Sequence, residues 1–135
     1  VKIHSLFISD GKPALRILHI LDHSLPLHSG YTFRTRAILK AQQEMGWAVA
    51  GVTSVRHSAD SAPHQQVDGL DFYRTAPIAP APSPLGEWRE IGALAARVDE
   101  MVAQFRPDVL HAHSPVLTAL AAERVAKRHN LPLLY

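Results

Sequence analysis

Residues 15–53 read LRILHILDHSLPLHSGYTFRTRAILKAQQEMGWAVAGVT. The segment opens at 15–21 on an apolar run with a β-branched centre that stops at Asp22, the pattern of a strand buried on both faces. A polar loop, 22–30, follows. Helical spacing begins after Gly30: Phe33, Ala37, Ile38, Ala41 and Met45 line one face, and Arg34, Arg36, Lys40 and Glu44 lie off it. Gly46 stands where a helix C-terminus favours glycine. The predicted inward face is therefore the stripe from Phe33 to Met45. Residues 47–53 are a second apolar run. A helix between two buried strands makes the strands parallel neighbours.

The rest of the chain extends this unit. Residues 54–66 are polar and rich in Ser, His and Ala, and read as a surface loop. Residues 70–74 (LDFYR) alternate as a short strand does. Four prolines among small residues make 76–84 an extended connector. Trp88, Ile91, Leu94, Ala95, Val98, Val102 and Phe105 then repeat at three and four, an amphipathic helix that must stop before Pro107. Residues 108–112 (DVLHA) read as a strand. Ser114-Pro115 reads as an N-cap with proline at the first helical position. That helix ends at Asn130, and 131–135 begins another strand. The fold class is α/β: a doubly wound, mostly parallel, Rossmann-like sheet with helices on both faces. Residues 1–14 read as a leader or an added edge strand, and 15–135 as one domain.

Composition is that of a single globular domain: 135 residues, 47% hydrophobic and 19% charged, enough to bury a core. No apolar run approaches the roughly 18 residues of a membrane-spanning helix. The absence of cysteine excludes a disulfide scaffold, thiol catalysis and cysteine-ligated zinc, and suits a reducing cytoplasm. The net charge is only +2, and the basic residues are dispersed rather than gathered in a stripe. Nucleic acid is not an expected partner.

In open parallel sheets ligands bind beyond the carboxyl ends of the strands, which selects two loops here. The first ends at Ser29-Gly30. The helix N-terminus that follows offers unpaired N–H groups and partial positive charge to an anion, and glycine lets the backbone approach a phosphate. No GxGxxG fingerprint precedes it, which argues against a dinucleotide oxidoreductase. The second loop is His111-Ala112-His113-Ser114-Pro115, where an imidazole can meet a substrate hydroxyl. His111 and His113 share one face of the strand, with His113 nearer the tip. The same HxH spacing is a metal-ligand spacing, and DVLHAHS resembles the opening strand of polymerase-and-histidinol-phosphatase metal phosphoesterases. Those enzymes need further His and Asp ligands downstream, whereas PVLTALAAERVAKRHN is an amphipathic helix. The reading is accordingly no metal and no cofactor, with a metal phosphoesterase or a non-catalytic binding module as alternatives.

Two longer segments carry a family resemblance. RILHILDHSLPLHSGYTFRTRAILKAQQEMGWAVAGVTS is similar to the opening of family-4 glycosyltransferases, and FRPDVLHAHSPVLTALAAERVAKRHNLPLLY resembles their later PDVLHAH segment. Together they cover about half of the chain in the family's order. The first is closest in wording to the glycosyltransferases of exosortase and exopolysaccharide clusters. The resemblance implies the N-terminal, acceptor-side half of a GT-B enzyme that retains anomeric configuration, cut before the donor-binding domain. It places Ser29 and Gly30 at the donor's diphosphate and His113 as the catalytic histidine bordering the transferring sugar. Single Gly30 departs from the family's commoner double glycine. Arg34, Arg36 and His111 become candidates for binding an acceptor, either a glycan or a lipid-linked group. The implied partners are a nucleotide sugar, held mainly by the other domain, and that acceptor. The expected setting is cytoplasmic, at or near the inner face of the membrane, and an isolated domain of this kind is expected to self-associate.

Overall fold

The computed structural model describes residues 15–57 and 62–135, so the leader or edge strand expected at 1–14 lies outside the described residues. Along the chain run β1 (Arg16–Leu21), α1 (Gly30–Glu44), β2 (Ala48–Thr53), β3 (His64–Val67), β4 (Leu70–Arg74), α2 (Leu85–Phe105), β5 (Val109–Ala112), α3 (Leu117–His129) and β6 (Leu133–Leu134). They form one sheet in the order β3-β4-β2-β1-β5-β6. Among the described residues only the β3–β4 pair is antiparallel. The domain has the doubly wound, Rossmann-like α/β architecture that its apolar runs dictate.

Alternation along β1 builds two cores. Leu18 and Ile20 point to the face covered by α2 and α3, where they join Leu94, Val98 and Val125. Ile17 and Leu21 point to the opposite face and pack with Leu39 of α1, Val49 and Phe72. Both faces of the central strand are therefore dry, as its continuous hydrophobicity requires. The chain leaves β1 for β2 on one side and later returns to β5 on the other. The carboxyl ends of β1 and β5 thus form the topological switch point, the usual place for a ligand in such sheets.

Three expectations need correction. The inward face of α1 is Thr32, Thr35 and Leu39, and Phe33 and Met45 are about half exposed. The expected stripe contains two alanines and brings little apolar area. Leu39 fills the space over the sheet, and the threonines are small and hydrogen-bonded, Thr32 to Ser29 and Thr35 Oγ1 to the Thr32 carbonyl. Within the expected loop 54–66, His64 begins β3. It turns into β4 through Asp68 and Gly69, both at positive φ, the two-residue Asp-Gly turn whose twist matches a hairpin. Finally, Ser114-Pro115 does not start α3. The helix begins at Leu117 behind Val116, which has φ 62 and ψ −88, because the Ser114 hydroxyl is engaged elsewhere. A β-branched residue at such a φ is strained by roughly 1–3 kcal/mol.

Candidate functional site

The β1–α1 loop reaches the switch point by being fastened at both ends. Arg74, buried at the end of β4, donates from Nη1 to Ser24 Oγ (2.6 Å) and from Nη2 to the Leu25 carbonyl (2.7 Å) and Gln65 Oε1 (2.8 Å). Burial draws its pKa down to about 10, which leaves it charged at neutrality. At the far end Ser29 caps α1: its hydroxyl accepts the Thr32 N–H at 3.0 Å and lies 3.0 Å from His23 Nε2. The Phe33 N–H goes to the Ser29 carbonyl. The N–H groups of Gly30 and Tyr31 therefore remain at the helix mouth. A Cβ built on Gly30 would meet nothing within 4 Å, so no packing within the described residues demands glycine there.

Tyr31 joins this loop to the next. Its hydroxyl accepts the Asp22 N–H (3.0 Å) and the Ser114 hydroxyl proton (2.8 Å), and burial pushes the phenol's pKa up. His113, directly before Ser114, lies against β1 with its backbone N–H donating to the Ile20 carbonyl. The two loops chosen from the sequence thus meet across the β1–β5 boundary.

Three imidazoles gather there. His19 of β1 is fully buried and stands in register with His111 of β5. His19 Nδ1 lies 2.7 Å from His113 Nε2, and His19 Nε2 lies 2.7 Å from Gln42 Oε1 on α1. Burial is the main cause of each pKa shift: His19 falls to about 3, helped by His113, and His113 to about 4, helped by His111 and Arg34. His111 is lowered by burial as well. All three are neutral at pH 7. His111 and His113 open onto a groove of about 310 Å³ that is shared with Arg34, Ile38 and Tyr135.

The candidate nitrogens of His19, His111 and His113 lie within 4.8 Å of one another, close enough to raise the question of a metal. The hydrogen bonds argue against one as the site stands. His111 and His113 are stacked with centroids 4.0 Å apart and planes 27° apart. Both ring nitrogens of His19 are engaged, Nδ1 with His113 and Nε2 with Gln42, so His19 has no nitrogen free to bind an ion.

Of the residues named from the sequence, Ser29, Gly30, Arg34, His111 and His113 converge on this edge of the sheet. Arg36 does not join them. Two positions along a helix put it about 200° around the axis from Arg34, and it pairs with Asp68 in the β3–β4 turn at 2.5 Å. Sequence reasoning missed His19, Gln42 and Tyr31. Of these only His19 carries a signal, a lone histidine inside an apolar strand.

The profile of the glycosyl transferase 4-like domain matches residues 29–135. Sulfoquinovosyl transferase SQD2 of Arabidopsis thaliana is 28% identical over 127 residues, covering 92% of this chain and 23% of that protein. The chain thus spans less than a quarter of that relative's length. Among solved structures, sucrose-phosphate synthase from Thermosynechococcus elongatus superposes with a TM-score of 0.65 at 13% identity, over 88% of this chain and 32% of that one. The C-terminal domain of PF1911 hydrogenase from Pyrococcus furiosus gives 0.60 at 20% identity, over 91% and 92%. Likeness at these identities is likeness of fold, and its occurrence in a hydrogenase leaves function to be argued from the site.

Proposed function

The chain belongs to the glycosyl transferase 4-like domain family, and on that premise we propose that it forms the acceptor-side half of a retaining GT-B glycosyltransferase. The enzyme moves a sugar from a nucleotide-sugar donor to a glycan or lipid-linked acceptor, in the synthesis of exopolysaccharide or another cell-surface glycan. It works on the cytoplasmic side, at or near the membrane. No helix among the described residues is long and apolar enough to cross one.

The observation that carries this reading is the meeting of the α1 N-terminus with His113, through the Tyr31–Ser114 hydrogen bond. One side of the edge offers the N–H groups of Gly30 and Tyr31 with the positive end of a helix dipole, which suit a leaving diphosphate. The other offers His113, a neutral imidazole that can accept a sugar hydroxyl. Ser29 acts by holding the loop, since its hydroxyl is committed to the cap. Arg34 and His111 flank the groove and contact the acceptor, with Arg34 suited to an anionic group. Arg36, paired with Asp68, is left out of the proposed site.

The test is turnover by the full-length enzyme. His113→Ala should lower kcat about 100-fold with the unfolding midpoint preserved. An unchanged kcat removes His113 from the reaction.

A further inference from the structure

A histidine at a reacting centre has two nitrogens, and the one that carries the proton decides whether it accepts or donates toward the ligand. In this site the choice is made away from the groove. Gln42 Oε1 is a carbonyl-type oxygen and can only accept, so the 2.7 Å contact requires a proton on His19 Nε2. A neutral His19 then has a bare Nδ1, and its 2.7 Å contact with His113 requires a proton on His113 Nε2. His113 in turn is left with a bare Nδ1. That nitrogen has no partner among the described residues and is not among the buried unpartnered atoms, so it reaches solvent on the groove side. The field agrees with this direction: the nearby Arg34 cation favours a lone pair facing it over an N–H.

We propose that Gln42 and His19 are positioning residues that set the tautomer of His113, so that its Nδ1 presents a lone pair to the groove and recognises a ligand hydroxyl as acceptor. The chain of bonds runs from His113 through His19 to Gln42, from the mouth of the site into the layer between sheet and α1. It explains why a strand of leucine and isoleucine holds a fully buried histidine, and why α1 turns a glutamine inward. The same chain holds the ring in place, because rotation of His113 would break the bond to His19. The assignment deepens the proposed role of His113 and rests on that reading only for the identity of the hydroxyl.

The experiment separates the two. Long-range ¹H–¹⁵N spectra of the 135-residue chain at pH 7, without ligand, report which ring nitrogens are protonated. The expected result is protonated Nε2 and bare Nδ1 on both His19 and His113. A protonated Nδ1 on His113 would overturn the proposal, since the chain of bonds would then run the other way. Gln42→Met should leave both rings as tautomer mixtures, and Gln42→Glu, which still accepts, should restore the single form. Rings unchanged in Gln42→Met would also overturn it. If Gln42→Met does not fold, the wild-type spectrum still decides. In the full-length enzyme Gln42→Met should lower kcat about tenfold with KM unchanged, and Gln42→Glu should recover most of it. If His113→Ala leaves turnover intact, the glycosyltransferase role of His113 fails while the tautomer assignment stands.

Discussion

His19 sits at 0% exposure in a strand that otherwise places leucine and isoleucine on both cores. Burying an imidazole favours its neutral form, and His113 and His111 across β5 add to the resistance against a proton. With a folded pKa of about 3 against 6.5 in the unfolded chain, acidification protonates the unfolded state first. Stability is then complete above about pH 6.5 and is lost as the pH falls toward 3. His113 and His57, each drawn to about 4 by burial, act in the same direction, with their share reduced by partial exposure. Urea unfolding of the domain should therefore weaken as the pH falls from about 6 to about 4, by about 1 kcal/mol per pH unit for a proton taken up by the unfolded chain alone. A His19→Gln variant should show a shallower slope. A midpoint indifferent to pH in this window would mean that His19 takes up its proton freely. The residue was detectable in the sequence: placing LRILHIL beside DVLHAH as parallel neighbours puts His19 next to His111. Gln42 was not detectable, because its inward turn depends on which face of α1 meets the sheet.

At the scale of elements, the loops of the site are fastened by contacts that span the sheet. Arg74 is the main instance: 6% exposed, it donates to acceptors on the β1–α1 loop, on β2 and on β3, and none of these partners is a carboxylate. Removing it takes a charged donor from Ser24 Oγ, Thr53 Oγ1 and Gln65 Oε1 and leaves the Leu25 carbonyl with the Ser24 hydroxyl at 3.1 Å as its remaining donor among the described residues, where each buried acceptor stripped of its partner costs about 1–3 kcal/mol. Arg74→Met should lower stability by roughly 2–4 kcal/mol and speed amide exchange through the 22–29 loop. Arg74→Lys should recover only part of this, because one ammonium cannot reach the spread of acceptors that a guanidinium does. Loop exchange unchanged in Arg74→Met would show that the Ser29 cap alone holds the loop. The elements themselves followed from periodicity wherever the pattern was long, as in β1, β2 and α2. They were misread where a local signal competed with the wider pattern. The polar residues of β3 masked the Asp68-Gly69 turn, and Ser114 had a cap sequence while its hydroxyl was drawn to Tyr31 by contacts 83 residues apart.

For the whole molecule, the α1 face of the sheet is covered unevenly. Leu39 and its neighbours close the layer over β1, β2 and β4, while His111, half-exposed Leu134 and the exposed Tyr135 remain open beside the groove. Among the described residues β6 pairs with β5 alone, so its outer edge has no strand partner there and lies next to those apolar side chains. An edge of this kind is a template for another strand, and nothing charged guards it between Leu131 and Tyr135. Phe33, Met45, Trp88 and Leu120 add further exposed apolar surface on the helices. The isolated 135-residue domain should therefore self-associate at micromolar concentration through the β6 edge. Sedimentation velocity over a concentration series measures it, and Leu134→Lys should shift the distribution back to monomer by placing a charge on that edge. If the wild-type domain sediments as a monomer throughout, the two-residue strand is too short to template a partner. If association persists in Leu134→Lys, the contact lies on the helices, where Phe33 and Trp88 are the first residues to replace.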